Sequence, residues 1–263
     1  MNIIQAIILG IVQGITEFLP ISSSGHLIVL QRVFGMEEPA LTFDIVVHIG
    51  TLVAIIAVFW ADILAIIKNP FGKMTGLLIV GTIPAVIAGL FLRNVMETHF
   101  RTGIWLAAAF TLTGVLLILA DRFTTGHKEE RDITWLDALF IGCCQALAIP
   151  PGISRSGTTI TGALTRGLKR ETAARFSFLL AIIAITGAGV LETIDIVQDG
   201  ARVEAIGIMP LIFGFLAAAL VGYFCIRLLL KLIKACKLRY FSFYLWGLAA
   251  LIFVDYFFVN HFF

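Results

Sequence analysis

The sequence predicts an all-α polytopic membrane protein made of two inverted-topology repeats, each a re-entrant helical hairpin followed by three transmembrane helices. Three observations predict it. The 263 residues are 59% hydrophobic and only 14% charged, with a mean hydropathy of +1.00; soluble domains run at about 45–50% apolar and about 25% charged. The apolar residues come in blocks long enough to cross a hydrocarbon core. The second half of the chain repeats the first at a nearly constant offset.

The repeat is read residue by residue. AIILGIVQ (6–13) lies over ALFIGCCQ (138–145), and ISSSGH (21–26) over ISRSGT (153–158), both at an offset of 132. Further on the offset is 133: Gly81 and Gly89 fall on Gly214 and Gly222, Phe110 and Gly114 on Phe243 and Gly247. The chain is thus a single integral membrane domain, with repeat 1 at about 1–123 and repeat 2 at about 133–263. The charged connector TTGHKEERD (124–132) lies between them.

Each copy opens on a broken apolar stretch. Pro-Ile-Ser-Ser-Ser-Gly (20–25) and Pro-Gly-Ile-Ser-Arg-Ser-Gly (151–157) interrupt arms too short to span alone. Both read as re-entrant hairpins. Full spans follow at about 43–64, 76–93 and 103–121, then at about 175–194, 207–230 and 241–259. A hairpin adds no net crossing, so each copy crosses three times and the second must be inverted. The broken tips then meet within the membrane, a known arrangement for handling polar substrates there.

Positive charge sets the orientation. Arg32, Arg93, Arg101 and Arg202 fall on the side of the N-terminus, against fourteen Lys and Arg on the other side. Both termini are therefore expected outside the cytoplasm. KLIKACKLR (231–239) reads as a cytoplasmic belt touching anionic headgroups. A net charge of +2 gives no argument for a nucleic-acid partner. The N-terminal segment has no Lys or Arg before Arg32, so it lacks the basic start of a cleaved signal peptide and is expected to be retained. Cys143, Cys144, Cys225 and Cys236 show no metal-ligand spacing and read as small apolar fillers.

The tips carry the chemistry. The first offers Ser22, Ser23, Ser24, Gly25 and His26, with Glu17 on the helix leading in; the second offers Ser154, Arg155, Ser156, Gly157, Thr158 and Thr159. Each runs into a half-helix whose free N–H groups attract anions. Hydroxyls, a guanidinium fork and two helix starts together suit a phosphate or diphosphate. Arg155, costly inside a membrane, needs either such an anion or a structural ion pair with Glu17. His26 and Glu17 suit proton transfer, and Ser23, aligned with Arg155, is a hydroxyl that a base could activate. The serines could also cap half-helices, while Gly25 and Gly157 permit the turns. Gln13, one turn before Glu17, either positions an oxygen or bridges helices; Gln145 in the same register leaves both open. Asp44 and His48 share an i, i+4 face, supporting the site, lining its access path or serving structure alone.

On QGITEF with PISSSGH, then PGISRSGTTITG, the chain resembles the undecaprenyl-diphosphate phosphatases, also called bacitracin-resistance proteins. That family pairs an (E/Q)-x-x-x-E motif and a Ser/His loop with P-G-x-S-R-S-G-x-T, and the resemblance runs the whole length, FSFLLAI (176–182) included. It implies removal of the terminal phosphate of undecaprenyl diphosphate in the bacterial plasma membrane, recycling the lipid carrier of wall synthesis, at a site open to the outer face. It implies catalytic roles for Glu17, Ser23, His26 and Arg155, and supporting roles for Gln13, Ser22, Ser24, Ser154, Ser156 and Thr159. It also implies dependence on a divalent cation, Mg or Ca. Gln13 stands where many members have Glu, so the cation is expected to bind mainly through the substrate phosphates, with Glu17 as the protein's ligand. A homodimer is left open. The phosphatidic-acid-phosphatase type also has Ser-Gly-His, but needs a Lys-x6-Arg-Pro motif and a second His after Ser-Arg; SRSGTTITGALTRG has no His. The opposing functional class is a carrier or flippase of an anionic lipid, which would need Arg155 but gains little from Glu17 beside it.

Overall fold

The computed structural model describes residues 1–36, 40–99, 102–123, 126–198, 206–235, 237–259 and 261–263; Arg101, Arg202 and Cys236 lie outside them. Helices α1 (Ile3–Thr16) and α2 (Ser23–Val33) form the first hairpin, and α3 (Leu41–Val58), α4 (Trp60–Lys68), α5 (Lys73–His99) and α6 (Gly103–Ala120) follow. The second hairpin is α7 (Trp135–Ala146) and α8 (Arg155–Thr165), with α9 (Arg170–Gln198), α10 (Ile208–Ala235) and α11 (Arg239–Val254) after it. Six of these helices are long and apolar enough to cross a membrane, while α1 and α7 are apolar but shorter. No strand occurs among the described residues, and the protein is an all-α, multi-pass membrane protein.

The expected span 43–64 is corrected. Its helix stops at Val58, and α4 starts afresh at Trp60, with Phe59 at φ −100°, ψ 21° ending one and beginning the other. The continuous apolarity concealed a break that rests on backbone geometry. The last expected span, 241–259, likewise ends its α-helix at Val254 and continues as a π-helical turn, Asp255–Val259.

The two hairpins begin and turn alike. Asn2 caps α1 in a reciprocal capping box with Gln5, and Thr134 caps α7 in one with Asp137. Ser22 Oγ accepts the Gly25 amide at the start of α2, and Ser154 Oγ accepts that of Gly157 at the start of α8. All four pairs keep the offset of 132, so the repeat extends to the caps.

Packing crosses between the copies. The main partner of α1 is α10, and that of α7 is α5. A Cβ added at Gly10 would strike the Gly214 backbone, and one at Gly142 would strike that of Gly81; the four glycines are one contact made twice. The chain thus places matching helices in matching contacts. The buried hydrophobic core includes Phe18, Phe110, Phe176 and Phe178, with Phe18 edge-on to Phe178 at 6.0 Å.

The charged connector is anchored. Lys128 exchanges backbone hydrogen bonds with Gly167 and Lys169, both at 3.0 Å. The buried Asp137 carboxylate accepts from Lys128 Nζ at 2.8 Å and Arg166 Nε at 2.7 Å. Burial would raise the Asp137 pKa, but the hydrogen bonds from Lys128, Thr134 and Arg166 outweigh it and hold it at about 2. Cys143 is exposed, so it faces outward and does not fill the interior; Cys144 and Cys225 are half-buried free thiols.

Candidate active site

The two tips touch. Ser156 Oγ donates to the Leu19 carbonyl at 3.0 Å, and the Gly152 amide points at Ser24 Oγ at 3.4 Å. A Cβ on Gly25 would meet the Phe110 ring at 2.6 Å and Gly152 Cα at 3.0 Å. Glycine is needed there for close approach, since Gly25 continues α2 in helical geometry. Strain sits one position earlier than the run of helix begins: Ser22 has φ +70°, the only described non-glycine residue in that region, and its counterpart Ser154 has φ −77°. A non-glycine residue held there costs on the order of 1–3 kcal/mol and commonly marks a functional turn.

Beside this junction is a cavity of about 460 Å³. Its polar wall includes Glu17, Ser22, Ser23, Ser24, Ser154 and Arg155, joined by His48, Gln145 and Glu192. Its apolar wall comes from α3, α5 and α9, through residues such as Ile45, Ile49, Val86, Ile183 and Leu191. A polar end and an apolar flank in one space suit an amphipathic ligand with an anionic head.

Glu17 is the hub. Its Oε1 is ion-paired with Arg155 Nη2. Its Oε2 accepts from Ser23 Oγ at 2.5 Å and from Gln13 Nε2 at 3.0 Å, and His48 Nε2 stands 3.6 Å away. The ion pair foreseen as the structural alternative for Arg155 is therefore formed, yet both partners line the cavity. The guanidinium carries five N–H donors, so a fork remains to meet an anion.

His26 goes elsewhere. It lies four residues after Ser22, so it folds back over the turn, and its Nδ1 donates to the Ser22 carbonyl at 2.7 Å. That bond leaves Nε2 as the acceptor of a neutral ring, and the Tyr244 hydroxyl meets it at 2.7 Å. The ring stacks on Tyr244 at 5.6 Å and lies edge-on to Phe110 at 5.3 Å. His26 is thus behind the tip, off the cavity wall and apart from Glu17, with which the sequence paired it for proton transfer. The imidazole beside Glu17 is that of His48, whose Nδ1 donates to the Asp44 carbonyl at 2.7 Å while Asp44 Oδ1 accepts from Gln31.

The second tip divides likewise. Arg155 and Ser154 reach the cavity, whereas Ser156, Gly157, Thr158 and Thr159 do not line it. Thr158 and Thr159 donate to the Arg155 carbonyl at 3.0 and 2.8 Å, and Thr159 meets Ser177 at 2.5 Å. These residues stiffen the turn that carries Arg155. Gln13 and Gly25 also lie off the wall, Gln13 acting through Glu17. Glu192 and His48 had no firm chemistry legible from the sequence. An ionisable residue inside an apolar span was the signal for both.

The donors do not fit a cation held by protein alone. Both Glu17 oxygens are engaged by Arg155, Ser23 and Gln13, and among the described residues no three His, Cys, Asp or Glu side chains converge.

The sequence matches the family described as bacitracin resistance protein BacA over residues 6–251. It is 50% identical over 254 residues, 97% of each chain, to a protein of Carboxydothermus hydrogenoformans named undecaprenyl-diphosphatase. It is 47% identical to undecaprenyl-diphosphatase 4 of Bacillus cereus, with 96% of each chain covered. To the undecaprenyl-diphosphatase of Methanosphaera stadtmanae it is 41% identical, over 93% of this chain and 94% of that one. With its two tips, its cavity and a match across nearly its whole length, this chain belongs to the bacitracin resistance protein BacA family.

Proposed function

We propose that the protein is an undecaprenyl-diphosphatase, a membrane hydrolase that releases the terminal phosphate of undecaprenyl diphosphate and leaves undecaprenyl phosphate for reuse in cell-wall synthesis. The observation that carries this reading is the Ser23 hydroxyl, hydrogen-bonded to the Glu17 carboxylate at 2.5 Å on the wall that Arg155 shares. A carrier of anions gains nothing from a hydroxyl poised on a carboxylate. A phosphoryl-transfer enzyme can use it as an activated nucleophile.

In this reading the diphosphate enters the polar end of the cavity and the prenyl tail lies against α3, α5 and α9. Arg155 turns from Glu17 towards the phosphate oxygens, and amides at the starts of α2 and α8 add to the field there. Ser23 Oγ attacks the terminal phosphorus and its proton passes to Glu17. The bond to the bridging oxygen breaks, and undecaprenyl phosphate leaves. Water then attacks the phosphoserine, the bond between phosphorus and Ser23 Oγ breaks, Glu17 returns its proton to Ser23, and inorganic phosphate leaves with the protons of the water. Any divalent cation enters bound to the diphosphate. His26 supports the reaction by fixing the Ser22 carbonyl, hence the turn before Ser23.

The same reading gives the copies opposite orientations, sets both termini outside the cytoplasm and opens the cavity to the outer face. The orientation of the termini is supported by the basic residues, which crowd one side of the chain, and the outer opening by the family resemblance.

The test is phosphate release from undecaprenyl diphosphate by purified wild type, Ser23→Ala and Arg155→Ala in detergent. Release by the wild type that collapses in both variants supports the proposal. A folded wild type that binds the lipid in an Arg155-dependent way without releasing phosphate overturns it.

A further inference from the structure

Gln145 is only 3% exposed, yet neither its Nε2 nor its Oε1 has a hydrogen-bond partner. Leaving a buried amide unpaired is unfavourable, and the two-copy chain shows how that cost could have been met. The matching Gln13 donates to Glu17. In the second copy the residue at the Glu17 position is Ile149, so no carboxylate is offered to Gln145. Gln145 nonetheless lines the cavity with Ser23, Ser154 and Arg155.

We propose that Gln145 is a substrate-binding residue: its Nε2 donates to a non-bridging oxygen of the diphosphate head, and its Oε1 accepts from water carried in with it. The identity of the anion rests on the phosphatase reading; the anion-binding role of Gln145 does not. The amide itself is covered. A glutamine has three side-chain torsions, so the amide can swing to the wall it already forms without moving α7. Arg155 supplies charge to the same anion, and Gln145 supplies a neutral, directional donor that fixes its orientation. The asymmetry between the copies follows: Gln13 holds the base, and Gln145 holds the substrate.

The experiment compares wild type with Gln145→Leu, close in shape and without polar atoms, using methylene diphosphonate as a non-hydrolysable headgroup probe. Gln145→Leu is expected to melt at or above the wild-type temperature without ligand, because a buried unpaired amide has gone. It is also expected to lose most of the thermal shift given by diphosphonate, and to raise KM for undecaprenyl diphosphate about tenfold, as befits one hydrogen bond to a charged group. A variant that melts lower and keeps the wild-type diphosphonate shift and KM makes Gln145 a helix bridge and overturns the proposal. Gln145→Met repeats the comparison should the Leu variant fail to fold. If the wild type releases no phosphate but its diphosphonate shift still depends on Gln145, the binding role stands and the phosphatase reading falls.

Discussion

Ser23 Oγ and Glu17 Oε2 lie 2.5 Å apart, while Glu17 Oε1 is paired with Arg155. One carboxylate is therefore both the acceptor for a hydroxyl proton and the resting partner of the cation beside the cavity. Glu17→Gln keeps a hydrogen bond to Ser23 but cannot take its proton. It is expected to lower kcat at least about 100-fold, the scale of a lost general base. Phosphate release under saturating lipid checks it. Because the change also unpairs the half-buried Arg155 guanidinium, the melting temperature falls as well, which Ser23→Ala should not reproduce.

His26 is tied by Nδ1 to the Ser22 carbonyl and by Nε2 to Tyr244. A residue that holds the turn can be replaced by another N–H donor of similar reach; a proton-transfer group cannot. His26→Asn is accordingly expected to retain several-fold more phosphate release than His26→Ala. Equal loss in the two variants would return His26 to the chemistry.

Ser22 and Ser154 cap equivalent helices in different backbone states, φ +70° against −77°. Glycine relieves the first, where a side chain costs about 1–2 kcal/mol, and loses only a few tenths of a cap. At the second it adds unfolded-state entropy and removes the bonds of Ser154 Oγ to Gly157 and Ser156. Ser22→Gly should thus match or exceed wild-type thermal stability, and Ser154→Gly should fall below it by about 1 kcal/mol. Melting in the same detergent reads both.

Asp137 gives a pH dependence of known sign. Its folded pKa of about 2 lies below its ordinary 3.8, so folding favours the charged form. The contribution is complete above about pH 4 and is lost as pH falls through about 2. Wild type and Asp137→Asn should differ in melting temperature at pH 7, with the gap shrinking below about pH 4 and closing only below about pH 2. A constant gap across that range would remove the carboxylate's charge as the cause.

Much of this architecture was legible because its signals are local. Hydropathy located six spans, and Pro, Gly and Ser located both tips. The offset matched Gln13 to Gln145 before either was placed. Side-chain direction was not legible. His26 sits next to the tip in sequence, but its position on α2 points it at Tyr244, 218 residues away. His48 is far from the tip in sequence, but the packing of α3 beside α1 sets it near Glu17. Contacts between helices decided both, and periodicity within one helix carries no trace of them. Phe59 is the same lesson at the backbone: α3 ends there inside an unbroken apolar run.

The glycine contacts of α1 with α10 and of α7 with α5 bear on how the protein is made. Each half presents its opening arm to a helix of the other half. Synthesis runs from α1 to α10, so the main packing partner of α1 does not yet exist when α1 is made. Neither half can mature alone. A chain cut between the halves would leave α1 and α7 each without the helix that covers it.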